Sequence, residues 1–279
     1  LATPPAQAQK SGGTLRLHHR EDPPTASIHE EVTISTVFPF MSVFNNLVLF
    51  DPASKQNRLD AIVPELATSW SWSEDGKRLT FKLRSGVKWH DGAPFTAKDV
   101  KCTWDWLSGK SESGWRKNPH KPWYFNLQGV ETEGDDQVAF VLERPQPSFL
   151  AMLAGGFSPV YPCHVPAAQM RSKPIGTGPF KMVDFKRGQS ISLARNPDYW
   201  RPGRPYLDAL EFQIIPNRGT MMLAFFSGQF DVTFTGDVTP PLLKDVKAQK
   251  PDAICEEQPT GTQINLLVNR ERPPFDNDK

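Results

Sequence analysis

No stretch of this 279-residue chain is apolar for long enough to cross a membrane as a helix. Charge of one sign is not in excess either. The 32 Lys and Arg stand against 31 Asp and Glu, a net charge of +1. That balance gives no footprint for a nucleic acid or an anionic membrane surface, so no nucleic-acid partner is expected. Cysteine is scarce. Cys102, Cys163 and Cys255 are far apart and lack C-x-x-C or zinc-finger spacing. Export would permit one disulfide and leave one thiol, but the spacing chooses no pair. Three buried, small apolar thiols are the expectation.

Enzyme signatures are missing as well. His29-Glu30-Glu31-Val32-Thr33 begins like a zinc-protease motif but lacks the second histidine. No G-x-S-x-G is present. The acid pairs Glu30-Glu31 and Asp135-Asp136 are adjacent in sequence. Neighbouring side chains diverge on a strand or helix, so solvated faces are expected and not acid–base pairs. The same divergence argues against one metal taking both His18 and His19. No metal and no cofactor are expected, and the chain does not read as an enzyme. There is no internal repeat and no low-complexity tract.

Proline, by contrast, is plentiful. Its 27 copies are spread along the chain and point to many ordered turns. Residues 1–13 read as a flexible leader. Ala6-Gln7-Ala8 has the Ala-x-Ala form of a signal-peptide cleavage site, with cleavage expected after Ala8. No cysteine lies near the start to carry a lipid anchor. Thr14 to His18 reads as a strand, and a helix is expected between Glu30 and Leu49, beginning or restarting near Pro39-Phe40. Residues 109–122 read as an exposed loop. Phe212, Ile214 and Ile215 form a buried strand, Asn217 caps a helix carrying Met221, Met222, Phe225 and Phe226, and Asp231 to Phe234 returns as a strand. That succession is the α/β unit of a parallel or mixed sheet.

The richest block is PELATSWSWSEDGKRLTFKLRSGVKWHDGAPFTAKDV, from Pro64 to Val100. Trp70 and Trp72 alternate with serines, the period of a strand with one buried face. Asp75-Gly76 is a strong hairpin signal, and Leu79, Phe81 and Leu83 fall on one face of the returning strand. Thr96 and Asp99 have capping-box spacing ahead of Val100, Thr103, Trp104 and Leu107. The tryptophans are expected to pack in a core, and His90, beside Asp91-Gly92, to be a turn residue.

This block resembles the signature region of the family 5 extracellular solute-binding proteins, the peptide-, dipeptide- and nickel-binding components of bacterial ABC importers. Three further elements carry the resemblance: Gly176-Thr177-Gly178-Pro179-Phe180, Asn196-Pro197-Asp198-Tyr199-Trp200, and INLLVNRERPPFDNDK from Ile264 to Lys279. It covers Gly12 to Lys279 but only about the first half of a typical member.

The resemblance implies an α/β fold: a periplasmic-binding-protein-like (type II) mixed-sheet lobe with an inserted α+β lobe, the second, ligand-closing lobe being largely missing. Residues 14–45 plus 174–260 would form lobe I, 46–173 the inserted lobe II, and 261–279 the start of a truncated lobe III. The implied function is capture of a peptide or other small polar solute by hinge closure, then delivery to the permease subunits of an ABC transporter. The protein would be a soluble periplasmic monomer. A periplasmic hydrolase or ligand-sensing component on the same fold is the alternative.

Strand ends and helix starts are where α/β proteins present ligands. The expected ligand-lining residues are therefore Ser27, Ile28, His29, Glu30 and Thr33 after the first strand. Phe234, Thr235, Gly236 and Asp237 at a strand exit join them, with Thr262 and Gln263 near the lobe crossing.

Overall fold

A computed structural model describes residues 10–234, 236–256 and 268–276. Among the described residues there are ten strands and six α-helices. The strands are β1 (Thr14–His19), β2 (Val48–Phe50), β3 (Ile62–Pro64), β4 (Ala67–Trp72), β5 (Arg78–Leu83), β6 (Leu127–Glu133), β7 (Gln137–Leu142), β8 (Phe180–Lys186), β9 (Ser190–Arg195) and β10 (Ala209–Ile214). The helices are α1 (Ile34–Phe40), α2 (Ala97–Ser108), α3 (Phe149–Ala154), α4 (Ala167–Met170), α5 (Arg218–Phe226) and α6 (Pro240–Gln249).

Two four-stranded sheets organise the molecule. One has the order β1-β10-β9-β8, with β1 and β10 parallel and the other pairs antiparallel. The second, β4-β5-β7-β6, is wholly antiparallel. The expected return strand at Asp231–Phe234 is reduced to a single parallel bridge, Leu17 to Val232. It still flanks β1 on the side away from β10, so three segments run in one direction. Arg16 fastens this edge, donating from its backbone and guanidinium to the Asp231 carboxylate.

Local rules account for much of the second sheet. Gly76 takes φ +65° in the β4–β5 turn, a region open to glycine without strain. Leu79, Phe81 and Leu83 are buried on one face of β5. Trp70 and Trp72 are half-buried and pack at the margin of that core, whereas Trp89 and Trp104 are fully inside. Asp99 Oδ2 accepts the Thr96 N–H at 3.0 Å, as the capping-box spacing requires. The helix expected to begin or restart near Pro39-Phe40 instead ends there, as α1. Pro39 sits in its last turn, and the chain tightens into a 3₁₀ turn at Met41–Val43.

Two hydrophobic cores lie against the sheets. One is centred on Leu79, Phe81, Trp104 and Phe140, the other on Phe40, Tyr161, Ile191 and Phe212. A smaller cluster joins α5 to α6 through Met221, Phe225 and Val246.

Three expectations are corrected. Cys102 and Cys163 form a disulfide, with Cα atoms 5.9 Å apart, leaving Cys255 as the free thiol. The start of α2 is held against residue 163 by the Cys163 N–H bond to Asp99 Oδ1, and this brings the two sulfurs together. Glu30 and Glu31 are not solvated; both are buried, because cations from distant segments reach them. The loop 109–122 is exposed only in part, since His120 within it is fully buried.

Candidate functional site

β1, β10 and residues 232–234 all run towards the same edge of the mixed sheet. The carboxyl end of parallel strands is where such sheets leave room for a ligand. Arg20 follows β1 immediately. Its guanidinium lies 5.0 Å from the centroid of the Phe234 ring, and Nη1 is 3.9 Å from Asp237 Oδ1. The Arg20 side chain is 44% exposed, whereas that of Asp237 is only 6% exposed.

Aromatic packing supports this pair from below. Phe234 contacts His19 and Phe38 with ring centroids 5.4 and 5.1 Å away. His19 Nε2 donates to the Ser35 carbonyl at 2.9 Å and so ties the start of α1 to the end of β1. Burial pushes the His19 pKa down, so the ring is a neutral strut. His18 Nε2 donates to the Ile215 carbonyl at 2.9 Å, which leaves Nδ1 as the acceptor of the Phe234 N–H at 3.4 Å. Asp237 Oδ2 is 3.2 Å from that same Nδ1. That contact is an ion pair only when the ring is protonated, and no hydrogen bond reaches Oδ2. A buried carboxylate oxygen without a donor favours an incoming N–H.

Thr33 takes the N-cap position of α1 without a side-chain cap bond, its hydroxyl 2.9 Å from that of Ser35, at the rim between Val32 and Ile34, each 49% exposed. Beside it, Lys117 Nζ lies 2.8 Å from Glu31 Oε1.

Ser27, Ile28, His29 and Glu30 lie beneath this rim and are fully buried. Each has a structural partner. Ser27 N–H bonds Thr25 Oγ1, and Ile28 N–H bonds the Tyr161 hydroxyl at 2.7 Å. His29 Nε2 donates to the Pro159 carbonyl at 2.8 Å, with its ring 4.2 Å from that of Tyr161. Burial first, and His120 second, push the His29 pKa down to about 3. Glu30 receives Arg171 Nε at 2.9 Å and the Arg116 N–H at 2.6 Å. These four residues brace the loop that carries Thr33.

The structure thus gathers Thr33, Phe234 and Asp237 with Gly236 near one edge. Thr235, Thr262 and Gln263 lie outside the described residues. Arg20, Phe38 and Lys117 were not among the sequence candidates. Arg20 was readable as the first residue after a strand, but Lys117 comes from a loop 86 residues beyond Glu31 and no local pattern marks it.

His90 has a structural task. Its Nε2 donates to the Gly178 carbonyl at 3.0 Å and its Nδ1 accepts the Gly176 N–H at 3.3 Å. Among the described residues no group of three or more His, Cys, Asp or Glu is placed to hold a metal ion. No helix among them is long and apolar enough to cross a membrane.

A mixed sheet with an open carboxyl edge, joined to an inserted antiparallel sheet, is the architecture of the type II periplasmic binding proteins. The chain belongs to the bacterial extracellular solute-binding proteins, family 5, whose profile matches residues 61–279. It is 30% identical over 265 residues to heme-binding protein A of Haemophilus influenzae, covering 85% of this chain and 46% of that protein. Among solved structures, MoaA of A. tumefaciens R10, in complex with mannopinic acid, matches with TM-score 0.82 and 27% identity, over 96% of this chain and 53% of that one. A dipeptide-binding protein of Pseudoalteromonas sp. SM9913, in complex with Met-Leu, matches with TM-score 0.75 and 27% identity, over 95% and 55%. The chain spans about half the length of the curated relatives it matches.

Proposed function

We propose that this chain forms the receiving side of a substrate receptor of an ABC importer, acting in the periplasm as a monomer and passing its solute unchanged to the permease. The observation that carries this reading is the pairing at the sheet edge. Arg20, paired with Glu21 at 3.3 Å, offers a partly exposed cation, and Asp237, whose Oδ1 is 3.9 Å from it, offers a second, buried carboxylate oxygen, Oδ2, that no hydrogen bond reaches. Opposite charges side by side suit a zwitterion, and the exposed Val32 and Ile34 supply an apolar margin for a side chain. A short peptide carries all three features, and an opine carries the paired charges. The relatives' ligands, a dipeptide and mannopinic acid among them, fit this class.

Binding at such a rim becomes tight only when a second surface closes over it and removes water from the charges. The test is a thermal-shift screen with di- and tripeptides, opines, sugars and nickel–histidine. A zwitterionic class that raises the melting temperature in proportion to the logarithm of its concentration supports the proposal. Arg20→Ala and Asp237→Asn should each weaken that binding by about 10- to 100-fold, the range for a charged hydrogen bond. No stabilisation by any class would overturn it. Turnover of a stabilising compound would instead favour a hydrolase on the same fold.

A further inference from the structure

A separate pocket of about 310 Å³ opens where the two cores meet. Ile28 and Phe44, from the core of the mixed sheet, line it together with Leu49 and with Phe50, which packs against the other core. Met41, 51% exposed, stands among the lining side chains. Glu65, only 9% exposed, is set into this lining.

The surroundings of Glu65 are peculiar for a buried acid. Oε1 accepts from Asn45 Nδ2 at 2.6 Å and Oε2 from the Asn46 N–H at 2.8 Å. Both donors are neutral. Among the described residues no cation reaches ion-pair distance of the carboxylate. Arg84 donates to Glu65's own carbonyl oxygen and lies over Trp200. Arg201 lies over the same ring and points at the Pro64 carbonyl. The remaining titratable group, the Tyr199 hydroxyl, is 3.4 Å from Asn45 Nδ2. Burial therefore dominates and pushes the Glu65 carboxyl up to about 7, with Asn46, Asn45 and the more distant Arg201 offsetting only part of it.

A buried carboxylate without a countercharge, in an apolar pocket, is complementary to one kind of guest. We propose that this pocket is a second binding site, distinct from the sheet edge, for a small organic cation: an ammonium or amidinium group carried on an apolar body. The cation would sit against Glu65 and the apolar body against Phe44 and Phe50. The volume is at the lower end for small-molecule pockets, roughly 300–1,000 Å³, so the guest is about the size of one substituted ring.

Titration calorimetry with benzamidinium, and with neutral benzamide as the control, tests this at pH 8 and pH 6. Benzamidinium should bind at pH 8 and benzamide should not. The affinity should be about tenfold weaker at pH 6, because the competent carboxylate form is depleted. Glu65→Gln removes the charge at almost unchanged volume, although its amide nitrogen can no longer accept from one of the two donors; it should abolish binding, and a melting curve that stays cooperative shows that the fold survives the lost bond. Met41→Lys places a competing cation at the pocket without altering Glu65 or its two donors, and should also weaken binding. No heat at pH 8 with benzamidinium at roughly 10 mM, well above a millimolar dissociation constant, would overturn the proposal. So would equal binding of benzamide, or binding that survives Glu65→Gln.

Discussion

Single residues decide how this protein responds to acid. His29 is neutral when folded: its Nε2–H bonds Pro159, while Nδ1 faces no acceptor, so a second proton would be buried without a partner. Its pKa is about 3, against an ordinary value of 6.5. Between those values the unfolded chain binds a proton that the folded chain refuses. Stability is therefore lost as pH falls below 6.5, by about 1.4 kcal/mol per pH unit. His90, lowered to about 4 mainly by burial, acts in the same direction. Glu65 acts in the opposite one. Its folded pKa of about 7 lies above the ordinary 4.5, so its contribution is full below 4.5 and is lost as pH rises through 7. From 6.5 down to 4.5 the two histidines outweigh the one acid, and the melting temperature should drop steadily. His29→Gln should lower the starting stability through lost packing on Tyr161 yet flatten the acid slope by about 1.4 kcal/mol per unit. Melts at half-unit pH steps would show it, and an unchanged slope would contradict the assignment. None of this was legible in the sequence. Glu30 and Glu31 read as a solvated pair because Arg171 and Lys117 approach from 141 and 86 residues away.

Elements were legible where the rule is local. The Asp75-Gly76 turn, the alternation of β5 and the capping of α2 each depend on a few consecutive residues. What joins elements was less so. A Cβ on Gly176 would stand 1.9 Å from the Val43 carbonyl oxygen, with one on Gly178 at 2.5 Å from that of Ser42. Both obstacles are backbone and cannot swing aside. Gly176→Ala should therefore cost about 3 kcal/mol or more in urea unfolding, at the top of the usual range for overpacking. Gly188→Ala makes a useful contrast, since its φ of +66° is strained but nothing lies within 4 Å of the added carbon. It should cost only about 1 kcal/mol. The Cys102–Cys163 bridge closes a loop of 61 residues. In the chain-entropy account, Cys102→Ser should lose about 4 kcal/mol. Alkylation before reduction should label Cys255 alone; labelling of all three thiols would mean the bridge does not form. No sequence rule pairs cysteines at that distance, so the three buried thiols expected from composition gave way to a contact made by tertiary packing.

At the scale of the whole molecule, the question is what makes two cores behave as one body. The division into an inserted unit at 46–173 and a discontinuous one around it, which we propose as the lobe boundary, leaves few chain crossings to carry the coupling. Asn45 sits at one crossing and Thr177 at the other. Asn45 Oδ1 accepts from Thr177 Oγ1 at 3.0 Å and Trp200 Nε1 at 3.2 Å, while its Nδ2 donates to Glu65. Its backbone carbonyl accepts the Val160 N–H at 3.0 Å. One side chain thus holds the ends of both crossings, the Asn-Pro-Asp-Tyr-Trp element and the acid next to Leu66 in the other core. Asn45→Ala would leave Glu65 with the Asn46 N–H alone and strip the Thr177 hydroxyl and Trp200 Nε1 of their acceptor, on the order of 3–5 kcal/mol. More telling than the cost is its form. Six of the eight tryptophans (Trp70, Trp72, Trp89, Trp104, Trp115 and Trp200) lie in or against the core of the antiparallel sheet, so fluorescence reports mainly that half, while far-ultraviolet dichroism reports both. In the wild-type protein the two signals should change at one urea concentration, as one cooperative unit does. In Asn45→Ala the hub is gone but the cores are intact, and the two transitions should separate. Coincident transitions in the variant would mean that the apolar contacts shared by the cores, through Trp115 and Ile175, already suffice to couple them.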